Sequence, residues 1–127
     1  MILFKPEHVG PILAGRKTQT RRLGERRWNV GSAHLAATRL FDPTAVFARL
    51  RILDVRRDVL WQITPEDVRA EGYRSLEEFA AAFERINGPA AFDTPVWVVS
   101  FALAERLSMT DADRKAYDSG AWLGRLA

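Results

Sequence analysis

The sequence of 127 residues contains no cysteine and only two histidines, His8 and His34. The absence of cysteine excludes disulfides, thiolate zinc sites, iron–sulfur clusters and cysteine nucleophiles. The two histidines lack a metal-ligand spacing, and the sequence has no glycine-rich phosphate loop, dinucleotide fingerprint or serine nucleophile elbow. We therefore expect a protein that uses neither a metal nor a cofactor.

Long apolar runs are also missing. The longest, residues 96–104, is interrupted by Ser100 and is too short to span a bilayer. The N-terminal residues have neither the basic region nor the apolar core of a secretory signal. These absences predict one cytoplasmic domain with no membrane partner, and they leave its oligomeric state open.

Positive charge is unevenly distributed, although the net charge is only +3. The window from Arg16 to Arg27 holds six basic residues and one acid, and the window from Arg49 to Arg57 holds four arginines and one acid. Arginine suits phosphates and planar groups better than lysine does. The clusters indicate an anionic or nucleotide-like ligand, and a compositional preference for arginine is the plainer interpretation.

The pattern of apolar residues and turn signals predicts strands and short helices. We expect strands at residues 2–4, 18–22, 33–40, 46–57 with a bulge near Leu53, and 96–103. We expect one helix from Lys5–Pro6 to Gly15, a second from Thr64 to about Glu71–Gly72, and a fourth that begins at Thr110. The third helix begins at Ser75, where Ser75 and Glu78 form a capping box. Its apolar stripe consists of Leu76, Phe79, Ala80, Phe83 and Ile86. Since short turns join most strands, we predict an α+β fold with a small mixed or antiparallel β-barrel and flanking short helices.

The segment Gly15–Arg22 combines a lysine, threonines and arginines directly after a predicted helix end. Neighbouring arginines, and burial if it occurs, lower the pKa of Lys17, and a neutral amine could accept a proton from Thr20. The two side chains meet only if Lys17 lies in the turn before the strand or a bulge intervenes. A solvated basic turn is the alternative, and Glu71 is either a partner of Lys17 or an ordinary acid at a helix end.

Several segments together resemble the ASCH family, whose domain is similar to the PUA fold. They are residues 12–22, Val30–Gly31, residues 63–67 with 71–73, residues 75–79, and residues 96–101. The resemblance runs from about residue 2 to residue 103. It implies an ASCH domain at residues 1–104, with residues 105–127 as a C-terminal extension packed on the same domain.

The resemblance also implies a cleft and a link to RNA or modified nucleosides. Small bacterial ASCH proteins include amidohydrolases that deacetylate 4-acetylcytidine, and their lysine, threonine and glutamate match Lys17, Thr20 and Glu71. By that analogy Thr20 attacks the acetyl carbonyl, Lys17 accepts its proton, and Glu71 orients Lys17 or passes a proton to the leaving amine. Arg22 or a backbone N–H near Thr20 would stabilise the oxyanion. Ser32 departs from the pattern, because an acid is common there.

Three functions follow. The first is a metal-independent amidohydrolase for an acylated nucleoside, with Trp28 or Tyr73 stacking on the base. The second is a non-catalytic RNA-binding domain that uses a basic cleft, and a nuclease is a third. The expected substrate- or RNA-binding residues are Arg16, Thr18, Arg21, Arg22, Trp28 and Tyr73. The enzyme requires Lys17, Thr20 and Glu71 within hydrogen-bond reach around a closed pocket, whereas RNA binding requires an open basic groove and tolerates a scattered trio.

Overall fold

The computed structural model describes residues 1–108 and contains one five-stranded sheet with three short α-helices. The strands are β1 (Ile2–Leu3), β2 (Gln19–Arg22), β3 (Ala33–Ala37), β4 (Val46–Val59) and β5 (Pro95–Arg106). The helices are α1 (Val9–Leu13), α2 (Pro65–Ala70) and α3 (Leu76–Asn87), and short 3-10 turns lie at Pro6–His8, Pro43–Ala45 and Leu60–Gln62.

The sheet has the strand order β1-β3-β4-β5-β2 and curls into a half-barrel. Strand β1 runs parallel to β3, and the other neighbouring strands are antiparallel. The long pairing of β4 with β5 is interrupted between Ile52 and Asp54, where the change in side-chain parity predicted a bulge. The predicted α+β fold with a mixed sheet is confirmed.

Strand β5 is buried on both faces, which explains its continuous apolar run. Val99 and Phe101 face the half-barrel interior with Ile12 of α1, whereas Val96 and Val98 pack beneath Phe79 and the rest of α3. The predicted central strand is therefore confirmed, although β5 continues to Arg106. This strand anchors both the edge strand β2 and the helical layer.

The start of α2 follows the predicted signals, whereas α3 departs from them in two details. The Thr64 hydroxyl accepts from the backbone N–H of Asp67, whose carboxylate accepts from Thr64, forming a full capping box. At α3, Ser75 caps the backbone N–H of Glu78, but the Glu78 carboxylate accepts from Arg74 instead. Leu76 is 47% exposed because it lies in the first turn, beyond the edge of the sheet contact made by the buried side chains of α3.

Strand β3 ends at Ala37 rather than at residue 40. The chain turns there, and Phe41 adopts a left-handed conformation with φ 55°. Strand β4 runs two residues beyond its predicted end, to Val59. The predicted helix at Thr110 and the packing of the C-terminal extension lie outside the described residues, and the boundary at residue 104 stays a prediction. Within residues 1–108, no helix has the length and apolar character needed to cross a membrane.

Candidate active site

Lys17 lies in the turn between α1 and β2, and within residues 1–108 its side chain forms no hydrogen bond with that of Thr20. Gly15, at φ 77°, ends the helical segment, and the backbone N–H of Lys17 donates to the carbonyl oxygen of Pro11 at 3.0 Å. The next backbone N–H, of Thr18, donates to the carbonyl oxygen of Ala70 in α2 at 2.8 Å. These bonds bring the turn against the end of α2, so that the Lys17 side chain points inward and is 3% exposed.

Glu71 is the ion-pair partner of Lys17. Its Oε2 atom lies 2.8 Å from Lys17 Nζ, and Nζ also donates to the carbonyl oxygens of Gln19 and Glu71, each at 3.0 Å. The three protons of the ammonium group therefore have three acceptors. Burial lowers the pKa of Lys17 below its usual value, and the Glu71 carboxylate partly opposes this shift.

Glu71 itself retains an unused acceptor. The residue is 3% exposed, and its Oε1 atom is buried with no hydrogen-bond partner among residues 1–108. An unpaired buried carboxylate oxygen is costly in a folded protein. Glu71 is one of the residues that line the cavity described below.

Thr20 and Arg22 lie on the same face of β2. Arg22 Nε donates to Thr20 Oγ1 at 2.9 Å, and Arg22 Nη2 donates to the carbonyl oxygen of Leu3 at 2.6 Å. The guanidinium also lies 5.0 Å from the ring centre of Phe4. Arg22 therefore ties the two edge strands, β1 and β2, across the opening of the half-barrel. Burial lowers its pKa to about 10, so it remains positively charged at neutral pH.

His8 and Tyr73 form a second polar pair beside these residues. His8 Nε2 lies 2.8 Å from the Tyr73 hydroxyl, across 65 positions of sequence. Burial, followed by the charges of Lys17, Arg22 and Arg85, lowers the pKa of His8 to about 4, so its ring is neutral at pH 7. Burial raises the pKa of Tyr73 to about 12. The pair thus offers uncharged hydrogen-bonding groups next to a charged cluster.

A cavity of about 260 Å³ lies between the edge strands and α3. Its wall includes both polar pairs, the threonine and aromatic side chains. Among the lining residues are Phe4, His8, Lys17, Thr20, Arg22, Glu71 and Tyr73. Among residues 1–108, no group of three or more His, Asp or Glu side chains is arranged to hold a metal ion. The arrangement offers a hydroxyl nucleophile, an amine with a lowered pKa, a carboxylate and a fixed cation.

The structure brings the predicted catalytic residues Lys17, Thr20 and Glu71 to one cavity, along with Arg22 and Tyr73. The other four predicted binding residues lie elsewhere or are occupied by internal contacts. Arg16 and Thr18 are exposed outside the cavity wall, and Trp28 is buried in the hydrophobic core, also outside the wall. Arg21 borders the cavity, but its guanidinium pairs with the carboxylates of Asp58 and Asp67 on the other face of the sheet.

Sequence reasoning did not assign His8 to the site. Its partner Tyr73 is remote in sequence, and a half-buried histidine in a first helical turn has no local feature that marks it as a cavity residue. His8 follows Pro6 by two residues and ends the 3-10 turn. Only the packing of that turn against Tyr73 brings His8 to the cavity.

Comparisons with known proteins agree on the fold. No protein-family model and no curated protein matches the sequence. A structure from Enterococcus faecalis assigned to the family DUF984 is similar, with a TM-score of 0.62 and 17% identity over 82% of this chain and 74% of that chain.

Two ASCH structures are similar to the same degree. The ASCH domain from Lactobacillus crispatus has a TM-score of 0.57 and 21% identity, covering 76% of this chain and 70% of that chain. A variant of an ASCH protein from Zymomonas mobilis has a TM-score of 0.60 and 12% identity, covering 92% of this chain and 78% of that chain. This chain therefore has the fold of the ASCH domains, a small PUA-like α+β half-barrel.

Proposed function

We propose that this protein is a metal-independent amidohydrolase that removes the acyl group from an acylated nucleoside such as 4-acetylcytidine. The observation that carries the proposal is the buried Lys17–Glu71 ion pair, 2.8 Å long, which shares a cavity wall with the Thr20 hydroxyl. Nucleophile, base and proton carrier are the groups that acyl transfer requires. The ASCH fold is consistent with such an activity, although a fold alone does not determine one.

The shape of the site favours a small ligand over an RNA strand. A cavity of about 260 Å³ is close to the lower end of the range for small-molecule sites, roughly 300 Å³. The aromatic and neutral polar groups of Phe4, His8 and Tyr73 suit a base and an amide better than they suit a phosphate backbone. The RNA-binding alternative uses exposed arginines and does not explain a buried ion pair with an unused carboxylate oxygen.

The first chemical step is activation of Thr20. Transfer of one proton from Lys17 to Glu71 within the ion pair leaves a neutral amine and a carboxylic acid, and the net charge of the pair stays zero. The amine then takes the Thr20 proton while Oγ1 forms a bond to the acyl carbon. Arg22 already donates to Oγ1, which holds the oxygen in position and stabilises negative charge that develops on it.

Collapse of the tetrahedral intermediate breaks the bond between the acyl carbon and the exocyclic nitrogen. That nitrogen takes the proton from Glu71 and leaves as an amine, so cytidine is released from 4-acetylcytidine. Water then attacks the acyl-Thr20 ester. One of its protons returns to Thr20 Oγ1 as the ester bond breaks, and acetic acid departs and loses its proton to solvent as acetate. The guanidinium of Arg22 has five N–H donors, of which two are used in the bonds described above, so others remain for the oxyanion.

Turnover of 4-acetylcytidine, followed by chromatography of released cytidine, tests this function. Thr20→Val keeps the shape of the side chain and removes the hydroxyl, so we expect turnover to fall by about three orders of magnitude or more. Thr44→Val is the matched control, because Thr44 is exposed on the β3–β4 connection, and it should retain full activity.

Protein folding is checked on the same samples by thermal unfolding. Loss of the Thr20 hydrogen bond should cost only about 1 kcal/mol, so the variant should stay folded at the assay temperature. A folded Thr20→Val variant with wild-type turnover would exclude the threonine mechanism. Wild-type protein that releases no cytidine from 4-acetylcytidine would exclude this substrate.

A further inference from the structure

A row of side chains leads from the cavity toward solvent across three strands. Arg22 of β2 is the register partner of Trp97 in β5, and Trp97 is the register partner of Arg57 in β4. Directly paired residues point to the same face of a sheet. Adjacent strands are about 4.8 Å apart, so Arg57 lies roughly 10 Å from the cavity residue Arg22 along this row.

Two arginines are held against Trp97. The guanidinium carbon of Arg57 lies 4.7 Å from the centre of the Trp97 ring, and that of Arg26 lies 5.9 Å from it. Arg26 Nε also donates to the carbonyl oxygen of Trp28 at 3.3 Å. Stacking on an aromatic face restricts a guanidinium while leaving its edge donors available to a ligand. The two arginines are therefore partly ordered without an anion.

The positive charge of this region is not neutralised by the described part of the chain. Arg21, Arg39, Arg56, Arg69 and Arg85 each pair with a carboxylate. Within residues 1–108, Arg26, Arg27 and Arg57 form no such ion pair. Arg27 is near enough that its charge contributes to lowering the pKa of Arg22. Uncompensated arginines beside a cavity concentrate a field that attracts anions.

We propose that Arg26 and Arg57, which lie against Trp97, form with Arg27 a subsite for the 5′-phosphate of a mononucleotide whose acylated base occupies the cavity. The inference rests on the proposed function, since it extends the substrate from a nucleoside to a nucleotide. The base would lie beside Thr20 and Glu71, and the ribose would direct its 5′-phosphate outward along the row past Arg22. Arginine forks match the oxygen geometry of a phosphate.

Equilibrium binding of CMP and cytidine by calorimetry tests the subsite without requiring turnover. At low salt we expect CMP to bind at least about tenfold more tightly than cytidine, since two or three charge-assisted bonds are added. The double variant Arg26→Gln/Arg57→Gln should bind both ligands with the affinity that wild type has for cytidine. Arg69→Gln, an exposed change on α2, is the matched control and should keep the preference for CMP.

Equal affinities of wild type for CMP and cytidine would overturn the subsite, whatever the enzyme does. A short RNA that binds more tightly than CMP, with affinity that rises with its length, would also overturn it in favour of a nucleic-acid surface. A preference for CMP that the double variant abolishes would support the subsite even if 4-acetylcytidine is not turned over. If the subsite exists and the protein turns over 4-acetylcytidine, kcat/KM should be higher for 4-acetylcytidine 5′-monophosphate than for the nucleoside. The double variant should have the same kcat/KM for these two substrates.

Discussion

At the scale of single residues, the cavity carries more positive than negative charge. Lys17 and Arg22 are cationic and Glu71 is anionic, and all three are largely or fully buried. A buried ion pair is weak evidence for stability, because desolvation of both charges offsets much of their attraction. The additional cation, bonded to Thr20, suits a reaction in which negative charge develops on the substrate oxygen. The additional cation therefore supports the proposed function.

The neutral state of His8 makes the stability of the protein depend on pH. Its pKa falls from 6.5 in the unfolded chain to about 4 in the folded protein, mainly through burial. Between these values the unfolded chain binds a proton that the folded protein does not, so the free energy of unfolding decreases as pH falls from 6.5 toward 4. We expect this contribution to be about 1–2 kcal/mol, after discounting for the partial exposure of the ring.

Urea denaturation of the wild type and of His8→Gln, at several pH values across this range, measures that contribution. The difference in unfolding free energy between the two proteins should be largest at pH 7 and shrink toward pH 4. Carboxylates titrate in both proteins and cancel in the difference. A difference that does not change with pH would contradict a lowered pKa for His8.

The same residues show what local sequence can and cannot predict about the site. Lys17, Thr20 and Glu71 were grouped through the ASCH resemblance, because the local sequence alone also fits a solvated basic turn at residues 15–22 and an ordinary acid at the end of α2. The contact of His8 with Tyr73 and the bond from Arg22 to Leu3 join remote segments, so no local pattern encodes them. Trp28 shows the converse, since an aromatic residue in a basic segment was assigned to ligand binding and lies in the core.

At the scale of elements, the turn after α2 holds Glu71 against Lys17. Gly72 follows with φ 93°, and a Cβ atom there would lie 3.3 Å from Lys17 Cβ and 3.6 Å from Pro11 Cβ. Gly72→Ala should therefore cost about 1–2 kcal/mol for the left-handed conformation and should also displace Lys17. We expect turnover of the proposed substrate to fall at least about tenfold.

Gly88→Ala distinguishes the conformational cost of an alanine at positive φ from the displacement of Lys17. Gly88 has a similar φ of 79° and ends α3, and an added Cβ there would meet no atom of the described residues within 4 Å. It should show the conformational cost in thermal unfolding but retain wild-type turnover. Similar turnover in the two alanine variants would show that close packing of the α2 turn on Lys17 is not needed.

The elements themselves were largely predictable, because their signals are local. Thr64, Pro65 and the following acids define the start of α2, and the change of parity at Leu53 marks the bulge in β4. Strand ends were less predictable. Residues 38–40 have the composition of a strand but lie beyond the pairing of β3, and β5 extends because β4 offers partners as far as Arg106.

At the scale of the whole molecule, the arrangement of the strands depends on contacts that composition does not reveal. The two-residue strand β1 pairs in parallel with β3, and β2 lies at the opposite edge beside β5. Periodicity shows that a segment forms a strand but does not identify its neighbours. The short connections between strands and the ASCH resemblance both predicted a barrel, and the structure adds that the two edges are joined through the side chain of Arg22.

Phe4 connects the N-terminal segment to the rest of the half-barrel. It is 5% exposed, and its ring centre lies 6.2 Å from that of Phe47 in β4 and 5.9 Å from that of Phe101 in β5. Phe4→Ala should therefore lower the free energy of unfolding by about 3–5 kcal/mol, through lost burial and the cavity left behind. Arg22 would lose the aromatic face beneath its guanidinium.

Urea denaturation followed by circular dichroism measures the change, and Phe92→Ala is the matched control. Phe92 is 68% exposed, so its replacement should change stability by no more than about 0.5 kcal/mol. Because Phe4 contacts the strands that form the centre of the sheet, the destabilised protein should still unfold in one transition at a lower urea concentration. A separate early transition would show instead that the N-terminal segment unfolds independently of the sheet, and equal midpoints for the two variants would show that Phe4 contributes little to closing the half-barrel.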